Sequence, residues 1–245
     1  MINQKDISYF NSQFLENKKF WKRLGGKPNF EKKTVLDFGC GHGALSVEIA
    51  QCGAKEITGI DLEDGPLDFA KKNLELNYSN FKENINFSNV DILEKDLEKK
   101  FDLIVSKDTF EHTQRLDAVI QKMYDLLKTG GRAYLGFGPL YNFYNGDHGR
   151  TRMILPWFHL MVSEKFILNK LNKNSDLKIN KIQDLGLSKC SLNEYENFFN
   201  NSNFNIKYFK TNLSDHPFAP VFNVMSKIKI LKEYFTYNIY CILEK

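Results

Sequence analysis

A glycine-rich turn constrains the fold of this 245-residue chain more than any other feature. The short apolar run Val35-Leu-Asp-Phe38 leads into Gly39, Gly41 and Gly43, and a helix-like pattern begins at Ala44. This order predicts a buried strand, a tight turn and a helix start. Glycine permits positive φ and close approach of the backbone to a ligand, and the free N–H groups of a helix N-terminus favour polar or anionic atoms. The loop therefore predicts a nucleoside-type cofactor, although Gly39-x-Gly41-x-x-Ala44 also satisfies the loose dinucleotide fingerprint.

Acidic residues follow the next two predicted strands. Asp61 ends the second strand about 20 positions past the glycine loop, where a carboxylate can accept two hydrogen bonds from a ribose diol. Asp91 follows the third strand and can accept a hydrogen bond from an adenine amino group, with Leu62 and Ile92 on either side of the ring. The alternative is that Asp91 only caps the next turn.

Strand and helix patterns alternate through the first half of the chain. The apolar spacing in residues 1–33 predicts one or two amphipathic helices that end at Gly25-Gly26 and pack on the sheet. The alternative is that Tyr9 or Phe10 forms a lid over the cofactor. The pattern further predicts a third strand with its following loop at 85–92 and strands at 101–106 and 132–137. It also predicts a helix over 117–127, a helix stop at 128–131, and a helix capped by Asp64. Such alternation favours a parallel, doubly wound α/β sheet with ligands at the carboxyl ends of the strands.

These motifs, in this order and spacing, resemble the class I S-adenosylmethionine-dependent methyltransferases over roughly residues 34–138. The resemblance is carried by Val35–Gly43, Gly59-Ile-Asp61, Asp91-Ile92, the run from Phe101 through Phe110-Glu-His112, and Leu126–Leu135. It implies binding of S-adenosyl-L-methionine and of its product S-adenosyl-L-homocysteine, and it favours a methyltransferase over a dehydrogenase. The cofactor-binding residues that it implies are Asp37, Gly39, Cys40, Gly41, Gly43, Asp61, Leu62, Asp91, Ile92 and Ser106.

The resemblance also implies the ending of the fold, an antiparallel hairpin of strands six and seven. The β-rich runs 204–211 and 234–243 fit these strands, with helices over 191–199 and 221–231. We therefore expect one domain with a Rossmann-like, seven-stranded sheet. Its parts are a helical segment at 1–33, a cofactor-binding core at 34–138, a helical acceptor-binding cap inserted after strand five at 139–190, and a C-terminal part at 191–245.

Oxygen methylation is the expected chemistry. After strand four the chain lacks the Asn/Asp-Pro-Pro-Tyr motif of many amino-group methylases, and it has no cysteine placed for pyrimidine C5 chemistry. A hydroxyl acceptor needs a general base. His148, after strand five, is the preferred base, whereas His112 and Asp108, after strand four, are alternatives, with a structural or cofactor-side role equally open for His112.

The predicted cap resembles acceptor-binding caps of methyltransferases that act on small metabolites and sugars. Arg150 and Arg152 are bidentate donors that can hold a phosphate or carboxylate, and Tyr141 and Tyr144 complete the predicted acceptor side. The expected acceptor is a sugar, nucleotide-sugar or phosphorylated metabolite of cell-surface glycan biosynthesis. RNA, protein, and lipid or quinone methylation are the alternatives, and a non-catalytic cofactor-binding module is the weakest one.

Composition restricts the partners. The formal net charge of +4 comes from scattered lysines, so no nucleic-acid partner is expected. Cys40, Cys52, Cys190 and Cys241 form no framework spacing, which indicates a reducing compartment. No signal peptide and no membrane span are expected, and the predicted protein is cytoplasmic, metal-independent, and a monomer or homodimer.

Overall fold

The first five strands of the computed structural model pair in parallel, and the last two return antiparallel beside them. The structure describes residues 3–173 and 178–245. The strand order is β3-β2-β1-β4-β5-β7-β6, which confirms the predicted fold class. The strands are β1 Thr34–Phe38, β2 Glu56–Asp61, β3 Ile85–Asn89, β4 Phe101–Lys107, β5 Leu127–Phe137, β6 Asn205–Thr211 and β7 Ile239–Glu244.

Helices cover both faces of the sheet. On one face α1, α2 and α3 bury apolar side chains against β1, β2 and β3. On the other face α4 and α7 pack on Leu36, Ile104 and Leu135 of the central strands. The helices are α1 Gln4–Arg23, α2 Ala44–Gln51, α3 Asp64–Asn77, α4 Leu116–Leu126, α5 Phe158–Met161, α6 Glu164–Asn172, α7 Leu192–Asn200, α8 Ala219–Met225 and α9 Lys232–Phe235.

The N-terminal segment forms one helix, α1, which begins where the Asn3 side chain accepts a hydrogen bond from the Lys5 N–H. Its apolar face inserts Phe10, Phe20 and Trp21 into the core beside α2 and α3. Phe10 is therefore a core residue and not a lid. Tyr9 remains half-exposed, 50% accessible, at the rim of the glycine loop.

Several predicted boundaries are wrong. Residues 128–131 are not a helix stop but the start of β5, because Gly130 N–H and Gly131 C=O both bond to the backbone of Lys245. Glu63 and not Asp64 occupies the N-cap of α3, and β7 begins only at Ile239. The single helix predicted over 221–231 is instead the short α8, a turn, and then α9.

The insertion, residues 139–190, contains α5, α6 and a 3₁₀ turn at Ile182–Leu185. These elements enclose a small apolar cluster of their own, which includes Tyr141, Ile167 and Leu171. Residues 174–177 of the predicted cap lie outside the described part of the chain. Within the described residues, no helix is long and apolar enough to cross a membrane.

Candidate active site

The three glycines after β1 all have positive φ, but they face different surroundings. A Cβ on Gly39 would lie 2.2 Å from Thr109 Oγ1, and one on Gly43 would lie 2.6 Å from Phe87. A Cβ on Gly41 would meet nothing within 4 Å. Two glycines are thus required by the packing of the protein itself, whereas Gly41 borders open space in which a ligand can approach the backbone.

Asp61 fastens this loop to the end of β2. One carboxylate oxygen accepts a hydrogen bond from Gly41 N–H at 2.8 Å, and the other accepts from Glu63 N–H at 3.0 Å. Each oxygen keeps a further lone pair, and the side chain is partly exposed. The predicted ribose-binding acid is therefore also the group that holds the glycine loop in place.

The predicted adenine side is only partly open. Leu62 is 63% exposed, whereas Ile92 is 1% exposed and lies within the core. Burial of Ile92 contradicts the expectation that both side chains can contact the two faces of a ring. Asp91 accepts a hydrogen bond from Leu93 N–H at 2.8 Å, the turn-capping contact expected of the alternative interpretation. Its second oxygen accepts no hydrogen bond from a described residue.

Three of the residues assigned to the cofactor lie beneath the loop. Asp37 is buried and accepts a hydrogen bond from Ser46 Oγ at 2.6 Å, and burial raises its pKa to about 7. Burial likewise raises the pKa of the Cys40 thiol well above its usual value. Ser106 Oγ donates to the carbonyl of Phe38 at 2.9 Å and so joins β4 to β1. These side chains support the loop from inside the protein.

Two carboxyl groups follow β4. Asp108 is accessible to solvent, yet the protein around it raises its pKa, which is typical of a carboxyl on the floor of an open cleft. Glu111 is buried, and one oxygen accepts a hydrogen bond from Gly138 N–H at 3.3 Å. Its Oε2 has no hydrogen-bond partner among the described residues, and burial next to Asp108 raises its pKa well above the usual range.

His112 and His148 lie side by side, with ring centroids 4.8 Å apart. The Nδ1 of His112 lies 2.7 Å from the carbonyl of Gly186, and the Nε2 of His148 lies 3.2 Å from that of Pro139. Because a carbonyl only accepts, these nitrogens carry the protons in the neutral rings. Each ring therefore has one free lone pair, on Nε2 of His112 and on Nδ1 of His148.

Both imidazoles favour the neutral form. Burial, with a contribution from the Arg150 charge, lowers the pKa of His112 to about 4. Burial also lowers the pKa of His148, although its hydrogen bond to Pro139 opposes this shift. At neutral pH the pair can accept protons but carries no charge of its own.

The predicted acceptor residues do not converge. Arg150 Nη1 donates to the carbonyls of Leu185 and Gly186, both at 2.7 Å, and so joins the beginning of the insertion to its end. Tyr141 is buried in the insertion, where its ring stands edge-on to His159, and burial raises its pKa to about 12. Tyr144 packs between Trp157 and Phe222, and the side chain of Arg152 is exposed.

Two further side chains near the site were not predicted from sequence. His42, within the glycine loop, contacts the ring of Tyr9 at 4.7 Å between centroids. Tyr237 precedes β7, and burial and the neighbouring Asp108 raise its pKa. His42 stands inside a recognised motif and was open to prediction, whereas nothing in the sequence around Tyr237 indicates its proximity to Asp108. Among residues 3–173 and 178–245, no three His, Cys, Asp or Glu side chains group as metal ligands.

Known proteins match the part of the chain that carries these features. A family model described as a methyltransferase domain matches residues 29–136. A ubiquinone biosynthesis O-methyltransferase of Coxiella burnetii is 35% identical over 102 residues, 42% of each chain. One of Colwellia psychrerythraea is 36% identical over 111 residues, 44% of this chain and 43% of that protein. The chain thus matches less than half the length of these curated relatives.

Solved structures share the fold over a much longer stretch. A putative S-adenosylmethionine-dependent methyltransferase from Listeria monocytogenes has a TM-score of 0.59 at 20% identity, covering 94% of this chain and 99% of that one. The geranyl diphosphate C-methyltransferase from Streptomyces coelicolor, solved with Mg²⁺, geranyl diphosphate and S-adenosyl-L-homocysteine, has a TM-score of 0.59 at 13% identity and covers 93% and 77%. Residues 29–136 therefore match a methyltransferase domain, and most of the chain shares the fold of the class I S-adenosylmethionine-dependent methyltransferases.

Proposed function

We propose that the protein transfers the methyl group of S-adenosyl-L-methionine to an oxygen of a small polar acceptor, such as a sugar, nucleotide-sugar or phosphorylated metabolite of cell-surface glycan biosynthesis. The observation that carries this proposal is the pair of neutral imidazoles at the carboxyl ends of β4 and β5, each with a free lone pair. Thr109, which touches Gly39, links this pair to the glycine loop, because its carbonyl accepts from His112 N–H.

The residues around the loop suit the cofactor. Open space at Gly41 lets the cofactor approach the backbone. The remaining lone pairs of Asp61 can accept hydrogen bonds from the ribose hydroxyls, and the exposed Leu62 can make apolar contact with a purine. Asp108 offers a carboxylate on the cleft floor for a cationic group. When bound, S-adenosyl-L-methionine supplies a methyl group activated by its sulfonium, so the protein has to align an acceptor with it and remove a proton.

His148 is the proposed base. Its free Nδ1 can take the proton of an acceptor hydroxyl while the bond from oxygen to carbon forms. His112 is the weaker base, because its pKa lies near 4, and its free Nε2 suits a hydrogen bond that orients the acceptor. Glu111, whose raised pKa favours the protonated form, can donate its unpartnered O–H to a ligand in the cleft.

Arg152 remains the candidate for holding an anionic group of the acceptor. Arg150 already donates one nitrogen to two carbonyls, so its first role is to position the insertion. Arg152 is exposed and makes no ion pair with any described residue. A phosphate or carboxylate on the acceptor would pair with it in preference to a neutral group.

Methylation of a phenolic or quinone precursor is the second candidate. It is supported by the names of the curated relatives, ubiquinone biosynthesis O-methyltransferases. An aromatic group of Tyr144, Trp157, Phe222 and Phe235, between the insertion and α8–α9, also suits an aromatic acceptor. The polar side chains nearest the glycine loop favour the first candidate.

The test is transfer of radiolabelled methyl to a panel of acceptors. The panel contains nucleotide-sugars, sugar phosphates and their unphosphorylated sugars on one side, and catechols with and without a prenyl chain on the other. We expect alkali-stable, oxygen-linked label on the sugar series and a raised KM for anionic members with Arg152→Ala. Label on catechols alone would establish the second candidate, and label on nitrogen or carbon atoms would contradict both.

A further inference from the structure

A large apolar surface lies outside the candidate active site. It is formed by two segments, 154–166 in the insertion and 218–234 after β6, and we call it the apolar surface. Ile154 is 96% exposed and Ile230 is 82% exposed, and Leu155, Met161, Val221 and Val224 are also more than half exposed. Isolated exposed apolar residues are normal, but a concentration of large ones in two short segments marks an interaction surface.

The two segments contact each other and so form one surface. The Trp157 indole N–H donates to the carbonyl of Tyr234 at 3.2 Å, and the rings of Trp157 and Phe235 lie 5.2 Å apart. Tyr144 and Phe222 continue this contact toward the loop after β5. The apolar surface thus has a packed aromatic layer beneath it.

The outward charges on the apolar surface are positive. Lys227 and Lys229 alternate with Ile228 and Ile230, are exposed, and make no ion pair with any described residue. Lys165, which is exposed, adds positive charge on the insertion.

Acidic side chains of the same segments are engaged with the protein. Glu233 accepts hydrogen bonds from Asn142 Nδ2 and Leu192 N–H. Glu164 pairs with Lys189. Neither acid offsets the exposed lysines, so the surface presents apolar and cationic groups together.

We propose that this surface docks on a membrane that carries anionic headgroups. Lysine ammonium groups can pair with lipid phosphates while the interleaved isoleucines enter the interfacial region, the combination that holds peripheral proteins on membranes. A second copy of the chain would bring like charges together, which disfavours a symmetric contact through this face. The inference does not rest on the identity of the methyl acceptor, because lipid binding needs neither cofactor nor acceptor.

The experiment is co-sedimentation of the purified full chain with vesicles of phosphatidylcholine alone or with added phosphatidylglycerol. We expect binding only to the anionic vesicles and weaker binding in 0.5 M salt, since screening shortens the range of the attraction (Debye length about 4–5 Å at that salt). Lys227→Glu with Lys229→Glu should weaken binding at least about tenfold. Ile154→Ser with Ile230→Ser should weaken it by roughly tenfold through lost apolar insertion.

Matched controls lie outside the apolar surface, in α1, in α3 and shortly after α3. Lys72→Glu with Lys82→Glu changes the net charge equally, and Leu15→Ser with Leu76→Ser removes two apolar groups that are also largely exposed, 75% and 70%. Both control pairs should bind vesicles like the unaltered chain. Equal binding to both vesicle types, equal loss in the controls, or no binding would overturn the proposal. So would a concentration-dependent dimer, detected by sedimentation without vesicles, that Ile154→Ser with Ile230→Ser dissociates.

Discussion

At the scale of single residues, Asp61 combines a structural and a binding role. Its two oxygens already accept from Gly41 and Glu63, so the loop and the proposed ribose site share one carboxylate. Sequence alone predicted an acid after β2 that faces a ligand. The sequence did not reveal the bond to Gly41, because that bond depends on how β1 and β2 are aligned in the sheet.

Asp61→Ala should weaken binding of S-adenosyl-L-homocysteine by about 2 kcal/mol, because charge-assisted hydrogen bonds are lost. Isothermal titration calorimetry measures this directly. Asp64→Ala is the matched control, since Asp64 is an exposed acid whose side chain accepts a hydrogen bond from Asn89. The affinity of this variant for the ligand should stay unchanged. Unchanged affinity in Asp61→Ala, or preferential binding of a nicotinamide dinucleotide, would contradict the proposed role.

His148→Ala should lower kcat by about 10²–10⁴-fold on the true acceptor, the usual loss for a general base. The base works when neutral, and its pKa lies below the ordinary value of a histidine. The rate should therefore rise with pH through a midpoint below about 6.5 and stay level at neutral pH. In His148→Ala this rising limb should disappear.

Two other histidine variants complete the measurement. His112→Ala should act mainly on KM, and His216→Ala, an exposed histidine next to α8, should change neither constant. A large loss of kcat only in His112→Ala would transfer the role of base to His112. Nearly intact turnover in His148→Ala would mean that the acceptor oxygen is already an anion.

At the scale of elements, Gly39 and Gly41 should respond differently to the same substitution. Gly41→Ala should cost about 1 kcal/mol of stability, from positive φ alone, yet weaken cofactor binding at least about tenfold because its Cβ enters the open space. Gly39→Ala should destabilise the protein more, because its Cβ also overlaps Thr109. Thermal unfolding and calorimetric affinity separate the two effects. Equal affinity in Gly41→Ala would show that this space is not used by the ligand.

The elements that sequence predicted well are those whose pattern is local. At residues 34–51, the apolar run predicts the strand, the spacing of the glycines predicts the turn, and the helical period of the apolar residues predicts the helix. The structure of segment 128–131 does not follow from its local sequence. Gly130 and Gly131 are typical of a helix stop, but they form strand hydrogen bonds with Lys245, which lies at the other end of the chain. Arg150 was predicted to bind an acceptor, but the nearby carbonyls that it binds belong to a 3₁₀ turn about 35 residues away, which no local pattern indicates.

At the scale of the whole molecule, α1 packs on one face of the sheet and is bonded to the end of the central strand β4. Lys107, at the end of β4, donates to Gln13 C=O at 3.1 Å and to Asn17 Oδ1 at 2.9 Å. Burial lowers the pKa of this lysine. The same helix places the ring of Tyr9 against His42 of the glycine loop. The first half of α1 therefore overhangs the region where the cofactor is proposed to bind.

We accordingly expect that cofactor binding and the order of α1 are coupled. The half-exposed ring of Tyr9 lies 4.7 Å from that of His42, so it can close over a ligand bound at the glycine loop. Burial, with contributions from the charges of Asp108 and Glu63, raises the pKa of Tyr9. S-adenosyl-L-homocysteine should slow amide hydrogen exchange in the first half of α1, and Tyr9→Ala should lower the affinity roughly tenfold while changing stability by no more than about 0.5 kcal/mol. Leu15→Ala is the control on the same helix, since Leu15 is 75% exposed and away from the loop. Slower exchange throughout the protein, or equal affinity in Tyr9→Ala and Leu15→Ala, would show that α1 is scaffold and that the cleft binds its cofactor without a lid.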